Sequence, residues 1–329
     1  MIGRPRVGFL GVGWIGRHRM QAMLETGAIE AAAIADPSSE CAAEAARLAP
    51  GAALADGLDA LLDEKLDGIV IATPSALHAE QSIRALERGI AVFCQKPLGR
   101  NAPEAQAVVD AARAADRLLG LDLSYRHTQG MRLIRDLVQR GELGQIYAAE
   151  LAFHNAYGPD KDWFYDRSRS GGGCVIDLGV HLVDLALWVL DFPEVGDVAA
   201  RLFTGGEPLR AGDGRVEDYA AATMALGAGT SLQLACSWRL HAGREAIISA
   251  AFYGSAGGAA LRNVGGSFYD FTAELYRGTS TETLSLPPDE WGGRAAAEWA
   301  LRLAADPGFD PAADRFVDVA RALDRIYGK

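Results

Sequence analysis

Lys96 stands in "FCQKPLG" (93–99), at the end of an apolar, strand-like run. A cation held there by a rigid Pro97 turn is placed to donate to a substrate oxygen and stabilise a developing alkoxide. On an ordinary surface the same lysine is only a solvated charge. A second group lies in "GGGCVIDLGVHLVDLALW" (171–188), where Asp177, His181 and Asp184 interrupt an oily segment. On a helix they fall at i, i+4 and i+7 and form one narrow stripe, beside an apolar stripe of Leu178, Leu182, Leu185 and Val189. Such a stripe either lines a site or faces water, and the helix alone does not separate the two. Metal binding is the weaker reading. One histidine with two carboxylates has no second His or Cys nearby, so no metal ligand is assigned.

The elements around these groups decide what they serve. "RVGFLGVGWIGRHRM" places Gly11, Gly13 and Gly16 directly after a strand-like run and at the start of a helical one. In that context Gly11 permits the tight turn, Gly13 lets backbone approach a pyrophosphate, and Gly16 lets helix and strand pack closely. The amides near Trp14 and Ile15 then point at phosphates from a helix N-terminus. Asp36 ends the next strand, 20 residues after Gly16. A carboxylate there grips ribose hydroxyls and opposes a 2′-phosphate. Pro37, Ser38 and Ser39 supply no nearby cation, so NAD is expected over NADP. "IATPSALHAE" (71–80) follows a further strand, and its Thr73, Pro74, Ser75 and His78 are placed to touch the cofactor at the carboxyl edge of the sheet. Ser75 also reads as a plain helix cap. Gln95 and Lys96 lie at the same edge.

A coarse pass along the chain supports this placement. Up to about residue 122, buried-strand runs alternate with Ala-rich helical stretches near 15–26, 38–49, 75–88 and 101–115. That alternation predicts an α/β domain, a doubly wound parallel Rossmann sheet over 1–122. Residues 123–329 read as an α+β domain. Helices are expected near 129–140 and 175–190, strands from about 195 to 286, and a closing helix at 311–327 that packs back on the rest. "GTSLQLACSWRL" (229–240) alternates apolar and polar residues, as a sheet with one buried face requires.

Bulk properties narrow the function. At 329 residues the chain exceeds the usual size of one hydrophobic core. Its net charge of −11 argues against nucleic acid or anionic membrane as a partner. The start of the chain superficially resembles a signal peptide, but glycines break its apolar run and it enters "RHR" directly. Every long apolar run meets Asp, Glu or Arg before reaching bilayer-spanning length, so a membrane segment is not expected. The four cysteines stand singly, which fits a reduced, cytoplasmic setting.

Taken in order, "GVGWIG", "ADP", "TPSALH", "QKP" and "GGGCVIDLGVHLVD" resemble the Gfo/Idh/MocA oxidoreductases, which include glucose–fructose oxidoreductase and inositol 2-dehydrogenase. The resemblance covers essentially the whole chain. It implies a C-terminal domain with a large open antiparallel sheet, often used for contacts in a homo-oligomer, dimer or tetramer. It also implies catalytic roles for Lys96, Asp177 and His181. One departure stands out: the family's usual E-K-P reads Gln95-Lys96-Pro97, which removes an anionic neighbour of the lysine.

The activity so implied is NAD-dependent hydride transfer at a secondary alcohol or ketone of a sugar, cyclitol or derivative. His181 takes the hydroxyl proton, Asp177 orients its imidazole, and Lys96 holds the oxygen. Tyr157 and Trp163, in "HNAYGPDKDWFYDRSRSGGG" (154–173), are expected in a sugar-facing wall with Asp177 and His181. NAD-assisted glycoside cleavage and a non-enzymatic sugar sensor are the alternatives on the same fold.

Overall fold

The computed structural model describes residues 3–210, 212–227 and 229–329. It contains two compact units. The first comprises residues 1–122 and Gly293–Val317, the second Leu123–Gly292 and Asp318–Lys329. The first unit therefore draws in a late segment that a single boundary near 122 does not anticipate.

In the first unit β1 (Arg6–Leu10), α1 (Trp14–Glu25), β2 (Glu30–Ala35), α2 (Ser39–Leu48), β3 (Ala53–Leu54), α3 (Leu58–Asp63), β4 (Gly68–Ile71), α4 (Ser75–Glu87), β5 (Ala91–Cys94), α5 (Ala102–Ala115) and β6 (Leu119–Leu121) alternate in sequence. The six strands form one parallel sheet in the order β3-β2-β1-β4-β5-β6. Strand order reverses between β1 and β4, and ligands of such sheets bind at the carboxyl ends beside that point. The central strands are short apolar runs because both faces are covered: Val7, Phe9, Ile69, Ile71 and Val92 are fully buried.

A late helix, α9 (Arg294–Ala305), belongs to the same unit. Its Trp299 lies on the sheet because Gly68 and Gly120 leave room. A Cβ at either glycine would fall 2.7 or 2.5 Å from the indole. Burying one such ring is worth on the order of 4–6 kcal/mol at most, enough to seat a short Ala-rich helix.

The second unit contains α6 (Gln129–Gln139), β7 (Ile146–Asn155), α7 (Arg167–Ser170), α8 (Val180–Val189), β8 (Val195–Thr204), β9 (Glu207–Pro208), β10 (Tyr219–Leu226), β11 (Thr230–Ser237), β12 (Ala246–Gly254), β13 (Gly257–Asn263), β14 (Phe271–Arg277) and β15 (Ser280–Ser285). The residues of α10 (Asp314–Ile326) divide between the units after Val317. The nine strands run β15-β14-β13-β12-β7-β11-β10-β8-β9. The sheet is antiparallel except at its centre, where β7 and β11 pair in parallel. The alternation read in β11 holds up to Cys236: Leu232, Leu234 and Cys236 are buried, while Ser231 and Gln233 are exposed; it stops at Ser237, which is buried beside His154.

Helices α6 and α8 pack on the sheet's apolar side. On the other side Ala152, Ala199, Ala221, Ala235 and Ala251 floor a shallow concavity of about 590 Å³, rimmed by Glu150, Arg201 and Arg262. One stretch, Arg167–Val189, is long and apolar enough to cross a membrane, contrary to the sequence expectation, and 89% of its most apolar window is buried inside the fold. Its two acidic residues, Asp177 and Asp184, are too few to break it by composition.

Candidate active site

The glycine loop of the first unit has the shape its spacing demands. Gly11 adopts φ +81°, and a Cβ there would lie 2.6 Å from the Ala72 carbonyl oxygen. A Cβ on Gly16 would lie 2.1 Å from the Gly11 main-chain oxygen, so helix and loop touch only because residue 16 is glycine. At Gly13 nothing lies within 4 Å of the Cβ position. Gly13 is the N-cap of α1, without a side-chain cap and with no acidic residue in the first turn. The amides of Trp14 and Ile15 thus open the helix beside a clear space, a cradle that fits a pyrophosphate. The Trp14 ring itself is exposed.

Asp36 follows β2 and ties the crevice together. Its Oδ2 accepts from Val12 N–H at 2.7 Å and its Oδ1 from Ser38 N–H at 2.8 Å. Each oxygen keeps a further acceptor position, so the half-buried carboxylate retains capacity for ribose hydroxyls.

The loop after β4 divides in two. Thr73 and Pro74 are half-buried at the edge, and the Thr73 hydroxyl donates to Gln81 Oε1 at 2.6 Å. Ser75 and His78 are buried. Ser75 is not the helix cap; Pro74 holds that position without a side-chain bond. The two nitrogens of His78 meet carbonyl oxygens, Nδ1 that of Pro97 at 2.6 Å and Nε2 that of Thr73 at 2.7 Å. His78 therefore fastens the Thr73 and Pro97 loops to each other and turns no free nitrogen towards a cofactor. Burial lowers its pKa, Lys96 adds to the effect, and the two carbonyls oppose it.

Lys96 is half-buried and fixed on both sides. Gln95 N–H donates to the Ile71 oxygen at 2.8 Å, and the Pro97 oxygen is held by His78 across a cis Lys96–Pro97 bond. The Gln95 side chain is also buried. It donates to Asp122 Oδ2, which accepts from Arg19 Nε at 2.6 Å as well. Arg19 and Asp122 escaped the sequence reading, although a lone aspartate at the end of the apolar run "RLLGLDL" is a usable signal. Gln95 thus contacts Asp122 as a neutral donor, where a glutamate would set two carboxylates together.

In the second unit the segment of interest is built in steps. Asp166 caps α7, which ends at Gly171 with φ +88°. A Cβ on Gly172 would lie 2.0 Å from the Tyr327 hydroxyl, and one on Gly173 would lie 1.9 Å from the Glu217 main-chain oxygen. The glycine triplet therefore answers one turn and two close approaches. A π-helical turn, Val175–Gly179, follows and runs into α8. Such wide turns recur where a side chain must be re-aimed.

Asp177 lies in this turn, half-buried, and its Oδ2 accepts from the Trp238 indole Nε1–H at 3.0 Å. His181 lies in the first turn of α8, 7% exposed, with the Tyr125 ring 4.8 Å and the Phe153 ring 6.2 Å away. Burial holds the Tyr125 phenol protonated well above its usual range. Asp184 leaves the stripe: it is buried and paired with Arg126, whose Nε lies 2.8 and 3.0 Å from its two oxygens. That residue is a core ion pair and not part of a site or a wet face. Among the described residues no cluster of His, Cys, Asp or Glu is arranged to hold a metal.

The aromatic loop reaches the same place. Phe164 and Tyr165 meet the Trp238 ring edge-on at 6.3 and 5.6 Å, and Trp163 stacks on Phe164 at 3.8 Å. Tyr157 is exposed and its hydroxyl is 3.3 Å from Glu245. Trp163 stands one ring away from Trp238; sequence reasoning did not assign Trp238 or Tyr125 to the site, since their partners Asp177 and His181 lie far away in sequence.

Comparison with known proteins agrees with this architecture. Residues 5–123 match the oxidoreductase family with an NAD-binding Rossmann fold, and residues 131–260 match the GFO/IDH/MocA C-terminal domain. D-glucoside 3-dehydrogenase of Escherichia coli (strain K12) is 30% identical over 69% of this chain, a match spanning 65% of that relative's length. A levoglucosan dehydrogenase solved with NADH superposes with a TM-score of 0.84 at 22% identity, covering 99% of this chain and 96% of that one. A 3-ketoreductase from Actinomadura kijaniata, solved with NADP and TDP-benzene, gives 0.83 at 22% identity, covering 99% and 98%. The chain belongs to the Gfo/Idh/MocA family of oxidoreductases, with an NAD-binding Rossmann domain at its N-terminal end.

Proposed function

We propose that this protein is an NAD-dependent dehydrogenase acting on a secondary alcohol of a sugar or cyclitol. The observation that carries the reading is the Asp177 carboxylate, held by the Trp238 indole four residues ahead of a buried histidine. Bound NAD supplies the hydride acceptor; the remaining chemistry falls to the chain. His181 takes the hydroxyl proton, Asp177 orients and stabilises the imidazolium that forms, and Lys96 donates to the oxygen as the carbonyl develops. The carbinol C–H electron pair leaves as hydride while the O–H proton goes to His181, which balances the oxidation. Gly11, Gly13 and Gly16, the amides of Trp14 and Ile15, Asp36, Thr73, Pro74 and Ser75 hold the dinucleotide; Gln95 and His78 serve it by holding those loops. Trp163, with Phe164, supplies an apolar face for the C–H side of a sugar, and Tyr157 extends it. A reducing, cytoplasmic compartment suits the four free cysteines.

A substrate panel tests this: levoglucosan, methyl glucosides, glucose, glucose 6-phosphate and myo-inositol, each read by NADH absorbance with NAD. Net NADH with a free polyol supports the proposal. Release of the aglycone from a glycoside without net NADH supports glycoside cleavage, and NAD binding with neither reaction supports a sensor.

Two narrower expectations accompany it. NAD is preferred over NADP because Asp36 opposes a 2′-phosphate. Asp36→Ser removes that repulsion and also the bonds to Val12 and Ser38, so it weakens NAD and narrows the NAD/NADP gap about tenfold or more. Calorimetry showing wild-type protein tighter for NADP contradicts the assignment. The second is self-association through the alanine-floored sheet face, whose small side chains let a second sheet approach closely. Light scattering is expected to give a dimer or tetramer at micromolar concentration; a monomer there removes this reading.

A further inference from the structure

Three amides that open the helical segment bearing Asp177 are taken by one residue. Gly173 N–H and Val175 N–H donate to Glu217 Oε1 at 2.9 and 3.0 Å, and Cys174 N–H donates to the Glu217 main-chain oxygen at 3.0 Å. The Tyr327 hydroxyl donates to the same Oε1 at 2.7 Å. Glu217 is buried, and burial raises its carboxyl above the usual range while these donors pull it down. A neutral serine or asparagine cap satisfies helix-opening amides without burying a charge, so a carboxylate at this depth calls for a use beyond capping.

From Glu217 two routes lead to Asp177. Along the helix, Asp177 N–H donates to the oxygen of Gly173, whose own amide is on Glu217. Across the sheet, Trp238 N–H donates to the oxygen of Asp218, the next residue, at 2.7 Å, and the Trp238 indole holds the Asp177 carboxylate. Residues 217 and 218 thus fix both the backbone that carries Asp177 and the ring that orients it. The close approach of Gly172 to the Tyr327 hydroxyl leaves that tyrosine no slack.

We propose that Glu217 and Tyr327 are positioning residues for the proton-transfer pair, a latch by which the residue that follows α10 sets the Asp177 carboxylate. This rests on the reading of Asp177 and His181 given above. Neither latch residue touches substrate; they act through Gly173 and Val175, while the neighbouring Asp218 holds Trp238. Loss of the latch lets Asp177 drift, and misplacement of about an ångström at a catalytic group lowers turnover by one to two orders of magnitude.

The test is a double-mutant cycle on kcat, using the panel sugar with the highest rate: wild type, Tyr327→Phe, Asp177→Asn and the double variant. Tyr327→Phe keeps the ring and removes only the donor. It is expected to lower kcat about tenfold with KM for NAD unchanged, and to add nothing in the Asp177→Asn background. A purely structural role lowers the melting temperature but leaves kcat per folded molecule alone. Wild-type kcat in Tyr327→Phe, or effects that multiply in the double variant, overturns the latch while leaving the proton-transfer reading intact. Wild-type kcat in Asp177→Asn overturns the underlying reading and the latch with it. Should Tyr327→Phe fail to fold, Glu217→Gln is put through the same cycle. If both fail to fold, the pair is a folding determinant and the proposal is overturned.

Discussion

His181→Ala is expected to lower kcat for alcohol oxidation by about 10²–10⁴-fold, with NAD affinity close to wild type. The size of the effect follows from what the imidazole does: without a base the hydroxyl proton has no acceptor as hydride departs. NAD affinity is spared because the glycine loop and Asp36 lie in the other unit of the fold. The pH dependence carries a second signature. A base must be neutral to accept a proton, so the wild-type oxidation rate falls as pH drops through the ionisation of that base. In His181→Ala that limb disappears. A solvent-facing histidine predicts unaltered turnover, as most surface substitutions do. The 7% exposure of His181 and its contact with Tyr125 already weigh against that alternative.

Lys96→Met is expected to cost about 10²–10³-fold in kcat, the magnitude of losing one preorganised donor to a developing oxyanion. Methionine keeps the unbranched stem and removes only the charge and its donors. The expectation depends on preorganisation, to which the backbone on either side of Lys96 contributes. The amide of Gln95 is bonded to Ile71, the carbonyl of Pro97 to His78, and the Gln95 side chain to Asp122. These bonds fix the point from which the lysine side chain reaches. Steady-state kinetics of a folded Lys96→Met protein with turnover within twofold of wild type contradicts the role.

Much of the first unit was legible because its signals are local. Gly11 and Gly16 each meet a constraint set within a few residues or by the neighbouring strand, Gly13 opens the helix beside clear space, and buried parallel strands read as continuous apolar runs. Helix α9 was not legible. Its "RAAAEWALRLAA" does carry an apolar stripe of Ala295, Ala296, Trp299, Ala300 and Leu303, but nothing local assigns it to the first unit, where its seat depends on Gly68 and Gly120, far away in sequence. The stripe of Asp177, His181 and Asp184 was only partly informative. Spacing put all three on one face, yet Arg126 claims Asp184 and a π-helical turn carries Asp177. That turn is set by Glu217 and by the glycine triplet, and the partner of the Asp177 carboxylate, Trp238, is 61 residues away. Helical periodicity carries no trace of either. His78 shows the same limit: its sequence position put it at the crevice, but only its two carbonyl partners reveal that it faces the protein.

Direct hydride transfer between sugar carbon and nicotinamide is the central claim, and isotope tracing tests it most directly. The panel sugar with the highest rate, deuterated at its secondary carbinol carbons, is turned over with NAD, and the reduced nicotinamide is isolated for mass spectrometry. One deuterium in the dihydronicotinamide ring is the predicted result. Reduced nicotinamide without deuterium, or a product formed with no net reduction of NAD, would contradict it.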